Sequence, residues 1–221
     1  MFTLNPLPPP VDGESLARLS QCETATIGHF LHAGFMASDM RAVVPGKRVT
    51  GTAVTLRIPG PDSALLHHVI GLLRPGDFLV IDRCGDRKHA AWGGVVTFAA
   101  HVAGIAGAAV DGYGTDFTEI RTIGFPLWCL GAAPITTKKL ALGGEFNVPV
   151  SCGGVAVSPG DAVLADESGV LVLPPARVMA VAERALALQE REPKTLERLR
   201  NGEKLGDISG ASQLIADAMK S

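Results

Sequence analysis

An isolated acidic residue, Asp116, lies where a glycine-rich turn leads into a short predicted helix, and neither of its neighbours in the chain is basic. Gly112, Gly114 and Thr115 precede it. A single carboxylate can bind Mg²⁺, which often takes one or two protein carboxylates and completes its coordination with water or substrate oxygens. The alternative is a helix cap, a role that stabilises a helix by about 1 kcal/mol. The residue types leave both interpretations open.

Two glycine-rich segments are candidate anion sites. Gly93 with Gly94, and residues 112–116, each lie near the start of a predicted helix. Backbone N–H groups at a helix start have no intrahelical acceptor and point along the positive end of the helix dipole. Such groups can bind a carboxylate or an oxyanion.

A polar loop supplies further candidate side chains, which are Arg83, Asp86, Arg87, Lys88 and His89. Arg87 or Lys88 is suited to binding a substrate carboxylate, and His89 is suited to proton transfer near neutral pH. The alternative for each is a solvated loop residue.

Other candidates are weaker. Adjacent helical residues diverge by about a third of a turn, so only one of His67 and His68 can face a pocket. His29 and His32 are three residues apart and can share a helix face, which makes a transition-metal site conceivable, although single histidines are more often packed or partly exposed. Glu119 is three residues after Asp116 and could reach the same ion, with a solvated helix position as the alternative.

Two short apolar runs, residues 78–83 and 105–112, are typical of strands covered on both faces. A predicted helix over residues 90–104 separates them, which gives a β-α-β unit. Ligands of open α/β sheets collect outside the carboxyl ends of the strands. The polar loop and the Asp116 turn should therefore face one pocket.

The rest of the chain completes an α/β fold with a β-rich layer. An extended, proline-rich N-terminal arm covers residues 1–13, the α/β domain residues 14–176 and a helical tail residues 177–221. The remaining predicted elements are helices over 13–20, 25–34, 63–73 and 117–123, strands over 47–58 and 126–131, consecutive antiparallel strands within 146–175, and a helix over 176–202 interrupted by Pro193.

Composition narrows the functional classes. The formal net charge is -2 and no Lys/Arg cluster is present, which argues against nucleic-acid binding. Hydrophobic residues make up 47% of the chain and charged residues 19%, so we expect some surface to be buried between subunits of an oligomer.

Cysteine usage and the chain start indicate a cytoplasmic protein. The four cysteines are scattered without a C-x-x-C pair, as expected for reduced thiols in a reducing compartment. The first residues lack the pattern of a signal peptide, and no stretch approaches the roughly 20 apolar residues of a membrane helix. We therefore expect no membrane partner.

Several runs together resemble the RraA-like family. They are "GTAVTLRIPGPDSALLHHVI", "RPGDFLVID", "AAWGG", "GIAGAAVDGYGTDFTEIRTIGFPLW" and "NVPVSCGGVAVSPGDAVLADESGVLVLP". This family includes the class II 4-hydroxy-4-methyl-2-oxoglutarate / 4-carboxy-4-hydroxy-2-oxoadipate aldolases and the regulator of ribonuclease activity A. The resemblance implies a swivelling β/β/α domain that forms a homotrimer or a dimer of trimers, with pockets at subunit boundaries.

The resemblance also implies site roles. Family aldolases bind a divalent metal and split a 4-hydroxy-2-oxo acid into pyruvate and a second oxo acid. Their signature is an Asp that supports a metal-bound water, then twenty residues, then an Arg that binds the pyruvate carboxylate and an Asp that organises the metal. Asp116 matches the last position, whereas Thr115 replaces the Arg and Gly94 replaces the first Asp. Family aldolases also take a carboxylate from a neighbouring subunit's tail, for which Glu190 and Glu192 are candidates.

Two functions follow from these residues. The first is a lyase in which Mg²⁺, or Mn²⁺, at Asp116 stabilises a pyruvate enolate with help from the Gly93 and Gly94 amides, a chemistry that also permits oxaloacetate decarboxylation. Thr115 and Gly94 predict a changed substrate or efficiency. The second is a ring that has lost this chemistry and regulates a partner protein by contact. A methyltransferase is not favoured, because no Gly-rich nucleotide loop is followed by a ribose-binding acid.

Overall fold

The structure, a computed structural model, describes residues 1–220. Its centre is a run of four adjacent parallel strands, which are β3 (Val49–Arg57), β4 (Asp77–Asp82), β6 (Gly107–Gly114) and β7 (Leu127–Ala132). The β4 residues 78–81 have no exposed surface. This burial on both faces explains why β4 is a continuous apolar run.

One face of this sheet packs against three helices, α3 (Ala64–Ile70), α4 (Gly94–Val102) and α5 (Phe117–Ile123). Each helix connects two of the central strands. The helices begin at the carboxyl ends of those strands, so the loops after β4 and β6 lie at one edge, as predicted for open α/β sheets.

The other face carries the β-rich layer. It contains the hairpin β9 (Val150–Cys152) with β10 (Val155–Val157), and the hairpin β11 (Ala162–Asp166) with β12 (Gly169–Leu173). Strand β11 also pairs antiparallel with β3, so the second hairpin is joined to the central sheet. At the sheet margins, β1 (Phe2–Leu4) pairs in parallel with β8 (Gly144–Phe146), and β2 (Arg41–Ala42) pairs with β7. The predicted α/β class with an added β layer is confirmed.

A second helical layer covers the β11–β12 hairpin. It consists of α1 (Gly13–Leu19), α2 (Thr24–Gly28) and α6 (Val178–Gln189). The remaining helices, α7 (Glu192–Arg200), α8 (Leu205–Ser209) and α9 (Ala211–Ala218), contain no buried residue. Within residues 1–220, no helix combines the length and the apolar character that a membrane crossing requires.

Two predicted helix boundaries are wrong. Residues 90–92 form strand β5 (Ala90–Trp92) beside β6, and α4 starts only at Gly94. The backbone of this strand is held by distant partners, since Trp92 O accepts the Thr115 N–H and Ala90 N donates to Ile135 O. The helix predicted over 25–34 ends at Gly28, because the chain turns there to reach β12, where Met36 N donates to Val170 O.

Candidate active site

Asp116 has the left-handed conformation, with φ 57°, and its exposed carboxylate does not cap its own helix, α5. Instead, Asp116 Oδ2 accepts the backbone N–H of Gly94 at 2.9 Å, at the start of α4. Thr115 Oγ1 donates to Asp116 Oδ1 at 3.2 Å. The carboxylate therefore takes the anion position at the N-terminus of α4.

The close approach of the Asp116 turn explains why residue 93 is glycine. A Cβ on Gly93 would lie 2.8 Å from Asp116 Oδ2 and 3.0 Å from Thr115 Cγ2, which is too close for either atom to stay in place. At Gly94 a Cβ would have room, with its nearest neighbour, Glu119 Cβ, at 3.4 Å. Glu119 and Asp116 therefore both approach Gly94 through their Cβ atoms, and a shared ion between their carboxylates stays a prediction.

The Asp116 carboxylate suits a hard cation. A carboxylate offers about four lone-pair sites, and the Gly94 N–H and the Thr115 hydroxyl use two of them. The residue is exposed, which suits an ion that takes one protein carboxylate and several waters. No group of three or more His, Cys, Asp or Glu suited to a metal exists within residues 1–220, so His29 and His32 have no third ligand of these types there.

His89 forms a half-buried pair with Asp86. Its Nδ1 lies 2.8 Å from Asp86 Oδ2, and the backbone N–H groups of Lys88 and His89 donate to Asp86 Oδ1. This contact favours the Nδ1–H tautomer and leaves Nε2 as the atom able to take a proton. Strand β5 connects His89 to Gly93, so the pair belongs to the same edge of the sheet as Asp116.

The pH dependence of stability tests this pair. Partial burial raises the pKa of Asp86, but hydrogen bonds from the backbone and ring of His89 and from the Lys88 backbone outweigh it, and the pKa falls from 3.8 to about 2. Because the folded pKa is depressed, the stabilisation is present above pH 4 and is lost as the pH falls through 2. We expect Asp86→Asn to lower the unfolding free energy at pH 7 by about 2 kcal/mol.

Urea unfolding at pH 7, 4 and 2 measures this effect. The wild type should lose stability between pH 4 and pH 2 more steeply than Asp86→Asn. Equal slopes for the two proteins in this range would contradict the assigned pairing.

Arg87 is committed to an ion pair on the other face of the sheet. Its Nη1 donates to Asp111 Oδ1 at 2.8 Å and to the Asp111 carbonyl at 3.0 Å, and this side-chain hydrogen bond raises the pKa of Arg87. Asp111 Oδ2 in turn accepts the Gly153 N–H. The loops after β4 and β6 therefore meet, and Nη1 of Arg87 is already paired with Asp111, so this donor is not free for a substrate carboxylate. Lys88 is exposed.

Several known proteins are similar to this chain in sequence and in fold. The RraA-like family, described as Aldolase/RraA, matches residues 22–172. The chain belongs to the RraA-like family. A 4-hydroxy-4-methyl-2-oxoglutarate aldolase of Thermus thermophilus is 37% identical over 127 residues, which are 58% of this chain and 76% of that protein.

Two solved structures of the family match closely. One is Streptomyces coelicolor RraAS2, described as an unusual member of the RNase ES inhibitor RraA protein family, with TM-score 0.74, 30% identity and coverage of 85% of this chain and 98% of that chain. The other is the RNA-processing inhibitor RraA from Thermus, with TM-score 0.62, 32% identity and coverage of 68% and 91%. The swivelling RraA-like fold is therefore confirmed.

The other predicted site residues of this RraA-like chain lie elsewhere. The hydrogen bonds of the Asp116 carboxylate involve none of the following exposed residues: His29, His32, His67, His68, Glu190 and Glu192. His68 lines an apolar cleft of about 280 Å³ with Phe2 and Leu4. His32 lines a separate cleft of about 610 Å³ beside Arg177.

Sequence reasoning missed the roles of two residues at the sheet edge. Asp62, which directly precedes the helix predicted over 63–73, is buried and accepts the backbone N–H groups of Ala64, Leu140 and Leu142. Burial raises its pKa, but these hydrogen bonds outweigh burial and lower it. Arg83, predicted as a loop charge, is fully buried. Its place directly after an apolar strand was the available signal.

Proposed function

We propose that this chain is a divalent-metal-dependent lyase that cleaves a small 4-hydroxy-2-oxo acid to release pyruvate, or that decarboxylates oxaloacetate. The observation that carries the proposal is the exposed Asp116 carboxylate, held by Gly94 and Thr115. The aldolase name of a relative 37% identical supports it.

In this proposal Asp116 is the metal ligand, with Mg²⁺ preferred and Mn²⁺ as the substitute. A bound divalent ion supplies Lewis-acid polarisation of a 2-oxo group. The Gly94 N–H and the Thr115 hydroxyl orient the carboxylate, and the Gly93 backbone gives the close approach that the turn needs. We assign to His89, whose Nδ1 contacts Asp86, the transfer of the proton that cleavage requires.

Two departures from the family signature shape the proposed activity. Thr115 offers one hydroxyl where an Arg would offer a charged fork, and that hydroxyl already donates to Asp116. Gly94 offers no carboxylate to position a water. We therefore expect a substrate or an efficiency that differs from that of family aldolases with the full signature, since a positioned acid–base group typically contributes about 10² to 10⁴ in rate.

Metal removal tests the proposal. We expect pyruvate release from 4-hydroxy-4-methyl-2-oxoglutarate or from oxaloacetate to stop in EDTA and to return with excess Mg²⁺ or Mn²⁺. Blanks without enzyme are needed at each metal concentration, because oxaloacetate also decarboxylates in solution. Turnover that persists in EDTA would overturn the metal role of Asp116.

The second candidate is a protein-binding regulator. The RraA-family neighbours described as RNase ES and RNA-processing inhibitors support it, together with the lost Arg and Asp at positions 115 and 94. A wild type that is inert on both substrates, with turnover gained in Thr115→Arg, would favour this candidate over the lyase.

We also propose that the chain acts as a homotrimer or as a dimer of trimers. Helix α4 exposes Val95 (81%), Phe98 (60%) and Val102 (70%) at positions that lie on one face. A contiguous apolar helix face on a single chain indicates an interface, and a second copy of this chain is the proposed partner.

We also propose that the protein functions in a reducing compartment such as the cytoplasm, which its four free cysteines support.

A further inference from the structure

Arg83 is an unsatisfied buried charge. Its side chain has no exposed surface, Nη2 donates to the carbonyl of Gly60, and neither Nε nor Nη1 has a hydrogen-bond partner within residues 1–220. More than nine in ten buried polar groups in proteins are hydrogen-bonded, and an unpaired charged donor is among the most costly exceptions. A ligand that supplies acceptors would remove this cost.

Arg83 lies against Gly112 of β6, four residues before Asp116. It directly follows β4, and its stem crosses β6, since a Cβ on Gly112 would lie 2.8 Å from Arg83 Cγ. Gly93 approaches the same 112–116 segment at Asp116. The guanidinium therefore lies between the turn at Gly60 and the strand that ends in the Asp116 turn.

The nearest acids do not neutralise Arg83. Asp86 and Asp62 both lie close enough to act on it electrostatically. Asp86 accepts only from Lys88 and His89, and the Asp62 oxygens accept from three backbone N–H groups. Neither carboxylate accepts a hydrogen bond from Arg83, so its free N–H groups stay directed into the protein without an acceptor.

We propose that Arg83 binds the carboxylate of the small oxo-acid substrate, an inference that rests on the proposed lyase function. Nη2 carries a second hydrogen besides the one given to Gly60, and this hydrogen with that of Nε or Nη1 forms a fork that matches two carboxylate oxygens. Arg83, which follows the neighbouring strand β4, thereby supplies the positive charge that Thr115 lacks. Because the guanidinium has no exposed surface, the proposal requires the residues that cover it to move when the ligand enters.

Ligand binding without turnover tests this role. Pyruvate and its neutral analogue pyruvamide are titrated into the full chain in EDTA, by calorimetry and by thermal shift, so that neither metal nor catalysis is required. We expect the wild type to prefer pyruvate. Arg83→Gln should bind pyruvate about 10- to 100-fold more weakly and lose the preference, and Arg83→Lys should keep part of it.

Two further variants control the test. Gly112→Ala keeps the charge but places a methyl group against Arg83 Cγ, so it should also weaken pyruvate binding. Arg74→Gln removes an arginine paired with Asp77 at the opposite end of β4 and should leave binding unchanged. The melting temperature of ligand-free Arg83→Gln should equal or exceed that of the wild type, because an unpaired buried charge is removed.

Several outcomes would overturn the inference: pyruvate and pyruvamide binding equally to the wild type, no pyruvate binding in EDTA, or unchanged pyruvate affinity in Arg83→Gln with a lowered melting temperature. Unchanged affinity with a lowered melting temperature would mean that Arg83 stabilises the fold and does not bind the substrate. Arg83-dependent pyruvate binding without any turnover would reject the lyase and keep this site. EDTA-sensitive turnover with an unchanged KM in Arg83→Gln would keep the lyase and reject the role of Arg83 in substrate binding.

Discussion

Asp116→Asn is expected to lower kcat/KM for pyruvate release by at least about 10²-fold, the scale of losing one preorganised charge-stabilising group. Asparagine keeps the size of the side chain, tolerates the left-handed backbone and can still accept the Gly94 N–H. It lacks the negative charge that a divalent ion requires. A lactate-dehydrogenase-coupled assay measures the loss, and the melting temperature should change little.

The matched control is Glu14→Gln, which neutralises an exposed acid in α1 on another layer of the molecule and should leave the rate unchanged. Asp116→Ala is a poorer variant, because alanine in the left-handed region costs about 1 kcal/mol and confuses strain with charge. Full activity of Asp116→Asn would remove the carboxylate from the mechanism, and the proposed lyase with it.

Phe98→Asp is expected to convert the assembly into single chains. Phe98 is the central member of the exposed apolar face of α4, and a carboxylate there would be buried without a partner in the proposed interface. An unpaired buried charge typically costs several kcal/mol, and each subunit contact would carry that cost. Sedimentation velocity at micromolar concentration distinguishes a monomer near 23 kDa from a trimer.

The conservative variant Phe98→Leu is the control. Leucine keeps the face apolar, so we expect the assembly to persist. A wild type that sediments as a monomer, or a Phe98→Asp protein that keeps the wild-type mass, would contradict the proposed interface. If the pockets lie at subunit boundaries, as the family resemblance implies, Phe98→Asp should also lose pyruvate release while each chain stays folded.

Local patterning was sufficient for the central fold. The apolar runs at 78–83 and 105–112 became β4 and β6, and the helix predicted over 117–123 has the bounds of α5. These elements form because residues close together in the sequence are buried together. Such burial is visible in the sequence as apolar runs and as helical periodicity of apolar residues. The edge position of the two loops then followed from the rule for parallel strands.

Long-range contacts decided the rest. The sequence predicts that the residues of β5 form the first turn of a helix. Their pairing with β6 overrides this local helical preference. The position of Asp116 in the sequence suggests a cap of α5. Its carboxylate instead accepts a hydrogen bond from the backbone N–H of Gly94, 22 residues earlier. The place of Arg83 after an apolar strand could signal its burial, but its close contact with Gly112 in the next strand is long-range, and no local pattern shows it.

The hydrogen bond from Gly94 to Asp116 also constrains the order of folding. When α4 leaves the ribosome, the acceptor for its first N–H has not yet been synthesised, because that acceptor follows β6. The start of α4 and the orientation of the carboxylate therefore depend on each other, and both require β6 in its place between β4 and β7. A nascent chain that ends before Asp116 lacks both the acceptor for the Gly94 N–H and the proposed cation-binding carboxylate.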